Sequence, residues 1–414
     1  MLTRLIIRTR VPRVKSRRCS LRRCRLFSTH STETVEVACG SSGTFSLDIH
    51  HPISTSSPPP PSAPPSVLIH LPRGPFLPNP DHESSLLSIL KAGLPITTVV
   101  QLNYRLGGEH LYPQHIHDAL AGYDWIKTHL LPKRGILRAG RAERIGRIAV
   151  SGELIGGGLA AMLAVTECRI GEAGVVAAAL NNPIVDWVGI DDGKESHPAS
   201  EEMEDLLLTA RNKLFKRPGH YFDSFASPVL FFRSPGKEVP KFSASGPRDD
   251  LEHLAYLERE DFFRQQLALS AIPNRLNDAE TPEVEDDADG GKIKSPRKTS
   301  KRYPSPSLGL KLPPFHIFSG SLSPLSDQAD EMAQLLRKSF LRTAQTSDFG
   351  RKILLPEEIG KLSDEERLER QALVAEAYEM VELVQGGEEG LWGGDGGGED
   401  GLKAAVAWLR ERLG

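Results

Sequence analysis

The run Arg147 to Val165, RIAVSGELIGGGLAAMLAV, decides how the rest of the chain is read. Ile148, Ala149 and Val150 form a short apolar stretch of the kind that makes a buried strand. Gly152 and the triplet Gly156-Gly157-Gly158 follow at once, permitting a tight turn and close backbone approach. Leu159 to Val165 is then rich in alanine and leucine, both strong helix formers. The layout is strand, glycine-flanked sharp turn, apolar helix. At the apex, in the window Gly152-Glu153-Leu154-Ile155-Gly156, stands Leu154.

The flanking sequence repeats this rhythm. Upstream, Thr34–Cys39 and Thr44–Ile49 alternate around Gly40-Ser41-Ser42-Gly43 and read as an antiparallel hairpin at a sheet edge. Residues 52–66 are a proline/serine tract, read as an extended solvated loop, with a proline-rich ligand for a partner domain as the alternative. Val67–His70 and Thr97–Leu102 are buried-strand candidates, separated by a short helix over Leu86–Gly93. A helix over Asp118–Leu130 places Leu120, Tyr123, Ile126 and Leu130 on one apolar face. Val175–Leu180 makes the next strand. Strands alternating with helices imply an α/β fold with a mostly parallel central sheet covered on both faces.

Residues 191–273 break that alternation. They hold helical stretches at Glu201–Leu214 and Leu251–Gln266 and the aromatic run Tyr221–Phe232, and they sit where a cap over a pocket would be inserted. Residues 274–307 are rich in Asp, Glu, Lys, Pro and Ser and read as a disordered linker. The sheet then resumes with a strand at Pro314–Phe318, a helix at Ser326–Phe340 and a capping-box helix start at Ser363. A strand at Met380–Val384 and a closing helix at Gly401–Leu413, with Val406, Leu409 and Leu413 on one face, complete it. The core is therefore expected in two parts, 34–190 and 308–414.

Composition bounds the function. At 414 residues the chain accommodates one large α/β domain with insertions or two small domains. A formal net charge of −3 carries no overall signal for nucleic-acid binding. No apolar run reaches the ~18–20 residues that span a bilayer, so no transmembrane segment is expected. The charge is unevenly spread: Met1–Arg25 carries nine arginines and Lys15, and the first acidic residue is Glu33. Interleaved with Leu2, Leu5, Ile6 and Ile7, this reads as a mitochondrial transit peptide over residues 1–27. Arg25-Leu26-Phe27-Ser28 matches a processing site that cuts after Phe27, with delivery to the matrix; a basic arm that touches acidic partners or nucleic acid is the alternative. Cys39 and Cys168 stand far apart and support neither a disulfide framework nor a metal cluster, and no cofactor is expected.

Three segments resemble the α/β-hydrolase superfamily, in its hormone-sensitive-lipase-like esterase branch (fold-3). Asn103-Tyr104-Arg105-Leu106-Gly107-Gly108-Glu109-His110, with Pro113, Asp118 and Ala119 downstream, resembles the branch's Y-R-L-A-P-E-H…P…D-A block, with Gly108 in place of its proline. Val150–Ala160 resembles its nucleophile elbow, G-x-S-x-G, and the following helix. His316–Leu325, HIFSGSLSPL, resembles the strand and loop that present the catalytic acid as D-P-L. The likeness extends over most of Val67–Gly414 outside the insert.

The resemblance implies a serine nucleophile, a histidine base and an acid that orients the histidine. None of the three is present. The nucleophile position holds Leu154, an alkyl chain with no lone pair. The acid position holds Ser323, ahead of Pro324-Leu325. The base position, in the loop Gly387-Glu388-Glu389-Gly390-Leu391-Trp392, holds Glu389, and no histidine follows His316. The oxyanion loop H-G-G-G is replaced by His70-Leu71-Pro72-Arg73-Gly74, in which Pro72 has no N–H to donate. His70, Leu71, Pro72, Arg73, Gly74, Glu153 and Ile155 are the positions equivalent to pocket and oxyanion hole.

Substitute chemistry finds little support. Ser151 precedes the apex in the strand, where its side chain packs into the sheet. Glu153 occupies a position that is usually acidic in the family, which favours a structural role. His110, His115 and His117 read as helix-start and surface residues. Without a serine, nothing chemical requires an apex strain of ~1–3 kcal/mol, so the turn is free to relax. The expectation is a degenerate, catalytically inactive esterase-like protein that binds a small apolar ligand in the former pocket, beneath Phe222, Phe225, Phe231 and Phe232, or a protein partner. An active carboxylic-ester hydrolase with a different catalytic set, and a scaffold working through 52–66 and 274–307, are the alternatives.

Overall fold

The computed structural model describes residues 30–52, 65–74, 80–131, 146–190, 201–239, 298–347, 364–387, 390–392 and 398–414. The expected leader, the proline/serine tract from 53 to 64, the helix at Leu251–Gln266, most of the 274–307 linker and Glu389 lie outside them. In chain order the strands are β1 (His30–Ala38), β2 (Thr44–Pro52), β3 (Ser66–Leu71), β4 (Thr98–Asn103), β5 (Arg147–Glu153), β6 (Val175–Asn181), β7 (Phe315–Gly320) and β8 (Val381–Gly386). The helices are α1 (Pro80–Gly93), α2 (Gln114–His129), α3 (Ile155–Thr166), α4 (Glu201–Leu214), the single turn α5 (Pro218–Tyr221), α6 (Ser326–Ser347), α7 (Asp364–Met380) and α8 (Gly398–Leu413).

The eight strands form one sheet in the order β1-β2-β4-β3-β5-β6-β7-β8. β1, β2 and β4 pair antiparallel, and every other pair is parallel. The difference follows from the sequence. β1 and β2 are joined by a few residues, enough only for a hairpin, whereas β3 to β8 are separated by crossover segments long enough for helices. Central strands covered on both faces need continuous apolar runs. β3, β5 and β6 supply them: Leu68, Ile69, Val150, Ala178 and Leu180 are fully buried.

Two cores flank the sheet. One lies under α2, α3 and α6, around Val67, Ile69, Leu71, Val150, Leu154 and Met332. The other lies under α1 and α8, around Leu68, Leu86, Ala149, Phe318 and Leu409. Val406, Leu409 and Leu413 are all buried, as the one-sided pattern of the closing helix requires. β3 sits between β4 and β5, so the chain leaves β3 toward one edge of the sheet and leaves β5 toward the other. Such a reversal opens a crevice at the carboxyl ends of the strands, the usual ligand site of open α/β sheets. The loop after β3 and the turn after β5 both lie there.

The linker expected over 274–307 is ordered at its end. Residues 298–307 are tied to the fold by a backbone bridge between Arg233 and Ser300, by the Tyr303 hydroxyl donating to the Val165 carbonyl at 2.8 Å, and by Tyr303 packing on Phe231 and Phe232. Tyr303 is the large aromatic side chain of an otherwise polar stretch, and this half-buried anchor ties the stretch to the fold.

Candidate functional site

The turn between β5 and α3 keeps the elbow's geometry without its serine. Leu154 has φ 52° and ψ −114°, outside the regions where a side chain is comfortable. It is 4% exposed and packs in the core under α2 and α3. The expected relaxation of the turn does not occur, and the surrounding bonds explain why. Leu154 N–H donates to the Asn181 carbonyl at 3.0 Å, and its own carbonyl accepts from Gly158 N at 3.0 Å and Ile184 N at 3.1 Å. Gly152 and Gly156 make the turn possible: a Cβ on Gly152 collides with the Gly156 backbone, and one on Gly156 collides with the carbonyls of Leu71 and Pro72. Strain of this kind persists only where neighbours over-determine it.

The positions that give the family its oxyanion donors are turned to other work. His70 and Leu71 are the last residues of β3 and lie in the sheet rather than in a loop. Pro72 contributes no N–H, and its carbonyl accepts the Tyr104 hydroxyl at 2.6 Å. The Arg73 N–H donates to Glu83 Oε1 at 3.3 Å, and the Arg73 side chain turns away from the crevice to meet Glu153 at 3.0 Å. Gly74, at φ 86°, packs against Leu106 and Tyr104. Ile155 opens α3 and is buried.

Glu153 is the centre of a buried polar network beneath α1. At 1% exposure its carboxylate forms an ion pair with Arg73, Nε lying 3.0 Å away, and accepts from His82 Nε2 at 2.9 Å and the Trp392 backbone N–H at 2.8 Å. Three separate segments, the loop after β3, the first turn of α1 and the loop after β8, are thereby clamped to the end of β5. A buried carboxylate is tolerable only with such partners. Beside it, His70 Nδ1 lies 3.1 Å from Ser151 Oγ and His70 Nε2 lies 3.7 Å from Glu83. Burial pushes the Glu83 carboxyl up, but His70 and the Arg73 N–H outweigh that and hold it below the usual carboxylate range. Ser151 is fully buried and His70 is 1% exposed, both on the face covered by α1.

At and beside the positions expected for the acid and the base, the described residues are held by hydrogen bonds. Ser323 Oγ accepts from the Leu325 N–H at 3.3 Å in the turn leading into α6. Glu389 lies outside the described residues, but its neighbour Gly390 is held firmly: its carbonyl accepts from Asn181 Nδ2 at 2.7 Å and Asn182 Nδ2 at 3.2 Å. Asn182 Oδ1 in turn accepts from Ser319 Oγ at 3.0 Å. The carboxyl ends of β6 and β7 and the loop after β8 are thus cross-linked by buried amides.

The described part of the insert, 201–239, is bolted onto the same end. Tyr112 N–H donates to the Leu214 carbonyl at 3.0 Å, Trp187 N–H donates to Ser227 Oγ at 3.0 Å, and Arg233, 3% exposed, pairs with Asp186 and with Glu331 at 2.6 Å. Phe231 and Phe232 pack on Tyr303, while Phe225 is 37% exposed against Phe231. His110 and His117 are exposed, but His115, expected at the surface, is buried in the first turn of α2, where desolvation pushes its imidazole down to about 4.

His82, Glu83, Asn181, Asn182 and Trp392 were not singled out by the sequence. For the first two a signal existed: Pro80 followed by Asp81 and Glu83 is a helix-start signature, and it extends α1 six residues ahead of the expected Leu86. For the others the partners are too distant in the chain for any local pattern to reveal.

The comparisons with known proteins agree with this architecture. Residues 78–228 match the family described as alpha/beta hydrolase fold. Over 91 residues the chain is 36% identical to esterase LipI of Mycobacterium tuberculosis, a match covering 22% of this chain and 25% of that protein. The chain thus spans about a quarter of that relative's length. Among solved structures, carboxyl esterase 2 of the mycorrhizal fungus Tuber melanosporum aligns with TM-score 0.51 and 12% identity over 94% of this chain and 87% of that one. A hyperthermophilic esterase from the archaeon Pyrobaculum calidifontis aligns with TM-score 0.48 and 15% identity over 93% and 83%. Strand order, elbow geometry and the match over residues 78–228 together show that this chain has the alpha/beta hydrolase fold.

Proposed function

We propose that this protein is a catalytically silent member of its superfamily that binds a small apolar ligand or a protein partner instead of cleaving an ester. The observation that carries the reading is Leu154, a buried alkyl side chain at the apex where attack on a carbonyl requires a serine. The engagement of the Arg73 N–H by Glu83, next to a proline, supports it, because an oxyanion needs two donors at once and only the position of Ile155 is left. Loss of a hydrolase triad lowers turnover by on the order of 10⁶, and the remainder depends on the oxyanion hole.

A second reading, ester hydrolysis by a different set, is favoured by one contact, the Ser151–His70 pair with Glu83 beyond it. Its weakness is burial: Ser151 has no exposed surface through which an ester carbonyl reaches it. The two readings separate in one assay. p-Nitrophenyl acetate and butyrate are offered to the full chain and to protein beginning at Ser28, beside Leu154→Ser and the triple variant Leu154→Ser, Ser323→Asp, Glu389→His. A rate at the buffer background and no labelling by a fluorophosphonate probe are expected for the unaltered protein. Turnover with a labelled serine overturns the silent reading, and labelling at Ser151 establishes the second.

We also propose delivery to the mitochondrial matrix with removal of residues 1–27, supported by nine arginines and no acid before Glu33. Residues 1–40 fused to a fluorescent protein are expected to reach mitochondria and to be cut after Phe27. A diffuse, uncut fusion overturns this.

A further inference from the structure

The opposite end of the sheet holds a cleft remote from Leu154. A cleft of about 630 Å³ opens at the amino ends of β5, β6 and β7, a volume within the range that small-molecule sites occupy. Its apolar lining comes from Val175, Val176, Leu312, Pro313, Pro314 and Met380, and Ile170 beside them is 66% exposed. Its charge comes from Arg147, Arg169 and Lys311, against the single acid Glu172. Glu172 already pairs with Lys127 at 3.1 Å. Among the described residues, no carboxylate pairs with Arg169 or Lys311, and Glu167, which Arg169 influences through space, does not line the cleft.

The cations are placed by backbone. Arg169 bridges Leu310 antiparallel, with Ile170 N–H donating to the Gly309 carbonyl at 3.0 Å and Lys311 N–H to the Cys168 carbonyl at 2.9 Å. That pairing sets Arg169 and Lys311 on adjoining chains at one rim. Arg147 enters from β5, its guanidinium 3.5 Å from the Arg412 carbonyl. Three cations at the rim of an apolar cleft, with their one acid engaged elsewhere, match a ligand that is anionic at one end and aliphatic at the other.

We propose that this cleft binds a small anionic amphiphile, a carboxylate or phosphate head on an alkyl chain, with the head on Arg147, Arg169 and Lys311 and the chain against Leu312, Pro314 and Met380. The site lies at the other end of the strands from Leu154 and is independent of what happens there. The test is calorimetric titration of the full chain with decanoate, decyl phosphate, decanol and inorganic phosphate, each below its micellar concentration. Saturable binding of decanoate or decyl phosphate is expected, at least tenfold tighter than decanol and than inorganic phosphate, with the better of the two anions identifying the head group. The double variant Arg169→Glu/Lys311→Glu, altered only at exposed side chains, is expected to weaken it at least tenfold with an unchanged melting curve. Met380→Asp gives a second arm from the apolar side and is expected to weaken decanoate binding as well. No saturable binding, equal affinity for decanol, or binding unaffected by the double variant overturns the proposal.

Discussion

The two ends of the parallel sheet use their polar groups in opposite ways. At the carboxyl ends, Glu153, Asn181 and Asn182 turn inward and hold one backbone segment to another. At the amino ends, Arg169 and Lys311 face outward around an open cleft, with no ion-pair partner among the described residues. The end that carries chemistry in related folds has become a region of tight internal bonding, while the end that is ordinarily only structural keeps unengaged charge. The turn at Leu154 is held by hydrogen bonds and close glycine contacts that serve folding whatever chemistry the turn carries.

The sharpest way to break this comparison is at Glu153. If its role is to clamp three segments, Glu153→Ala removes the buried carboxylate shared by Arg73 and His82 and leaves Arg73 with the longer 3.8 Å contact to Glu83. A loss of about 3–5 kcal/mol in denaturant unfolding is expected. Glu153→Gln, which retains an acceptor for the Trp392 N–H, is expected to lose less. An unchanged midpoint for Glu153→Ala would contradict the clamp.

Acid tests the same end by another route. The unfolded His115 imidazole takes a proton near pH 6.5, whereas the buried one does so only near 4. Between those values the unfolded chain binds more protons, so this contribution is complete above about pH 6.5 and is lost as the pH falls toward 4. It amounts to on the order of 3 kcal/mol. Glu83 and Asp118, both held low in the folded protein, act in the same direction at lower pH, through their folded values. Thermal melts at stepped pH are expected to fall between 6.5 and 4, and His115→Phe is expected to flatten that part of the curve.

Leu154 sharpens the comparison at a single residue. Leu154→Ala keeps the strained backbone and empties a buried space, with a loss of about 2–5 kcal/mol. Leu154→Gly empties the same space but removes the conformational penalty, and is expected to be milder than alanine by about 1 kcal/mol. Glycine less stable than alanine would show that the turn is not strained in solution. At the amino end, Arg169→Glu/Lys311→Glu is expected to stay within about 0.5 kcal/mol of the parent, since exposed charges away from a network contribute little.

Much of the architecture was readable from local pattern. The hairpin, the parallel strands and the elbow followed from alternation, apolar runs and glycine placement. α1 and α2 began earlier than expected, because their first turns carry polar residues, Asp81-His82-Glu83 and Gln114-His115, that an apolar-periodicity reading passes over. Leu154, Ser323 and Glu389, at the positions that the resemblance assigns to the serine, the acid and the histidine, were legible from residue identity alone. The reading failed where a side chain's fate depends on distant neighbours: Leu154 holds its strained angles because Asn181 and Ile184 bond its backbone, and His115 is buried because the insert packs over α2 through Tyr112.

The sequence by itself determined the fold class, since periodicity and residue identity are local properties. Only the tertiary structure decided that Arg73 turns its N–H and its guanidinium inward, that Glu153 joins three segments, and that Arg147, Arg169 and Lys311 meet at one cleft. Those outcomes depend on which strands become neighbours. Arg147 and Lys311 lie far apart in the chain and share a rim because β5, β6 and β7 lie side by side in one sheet.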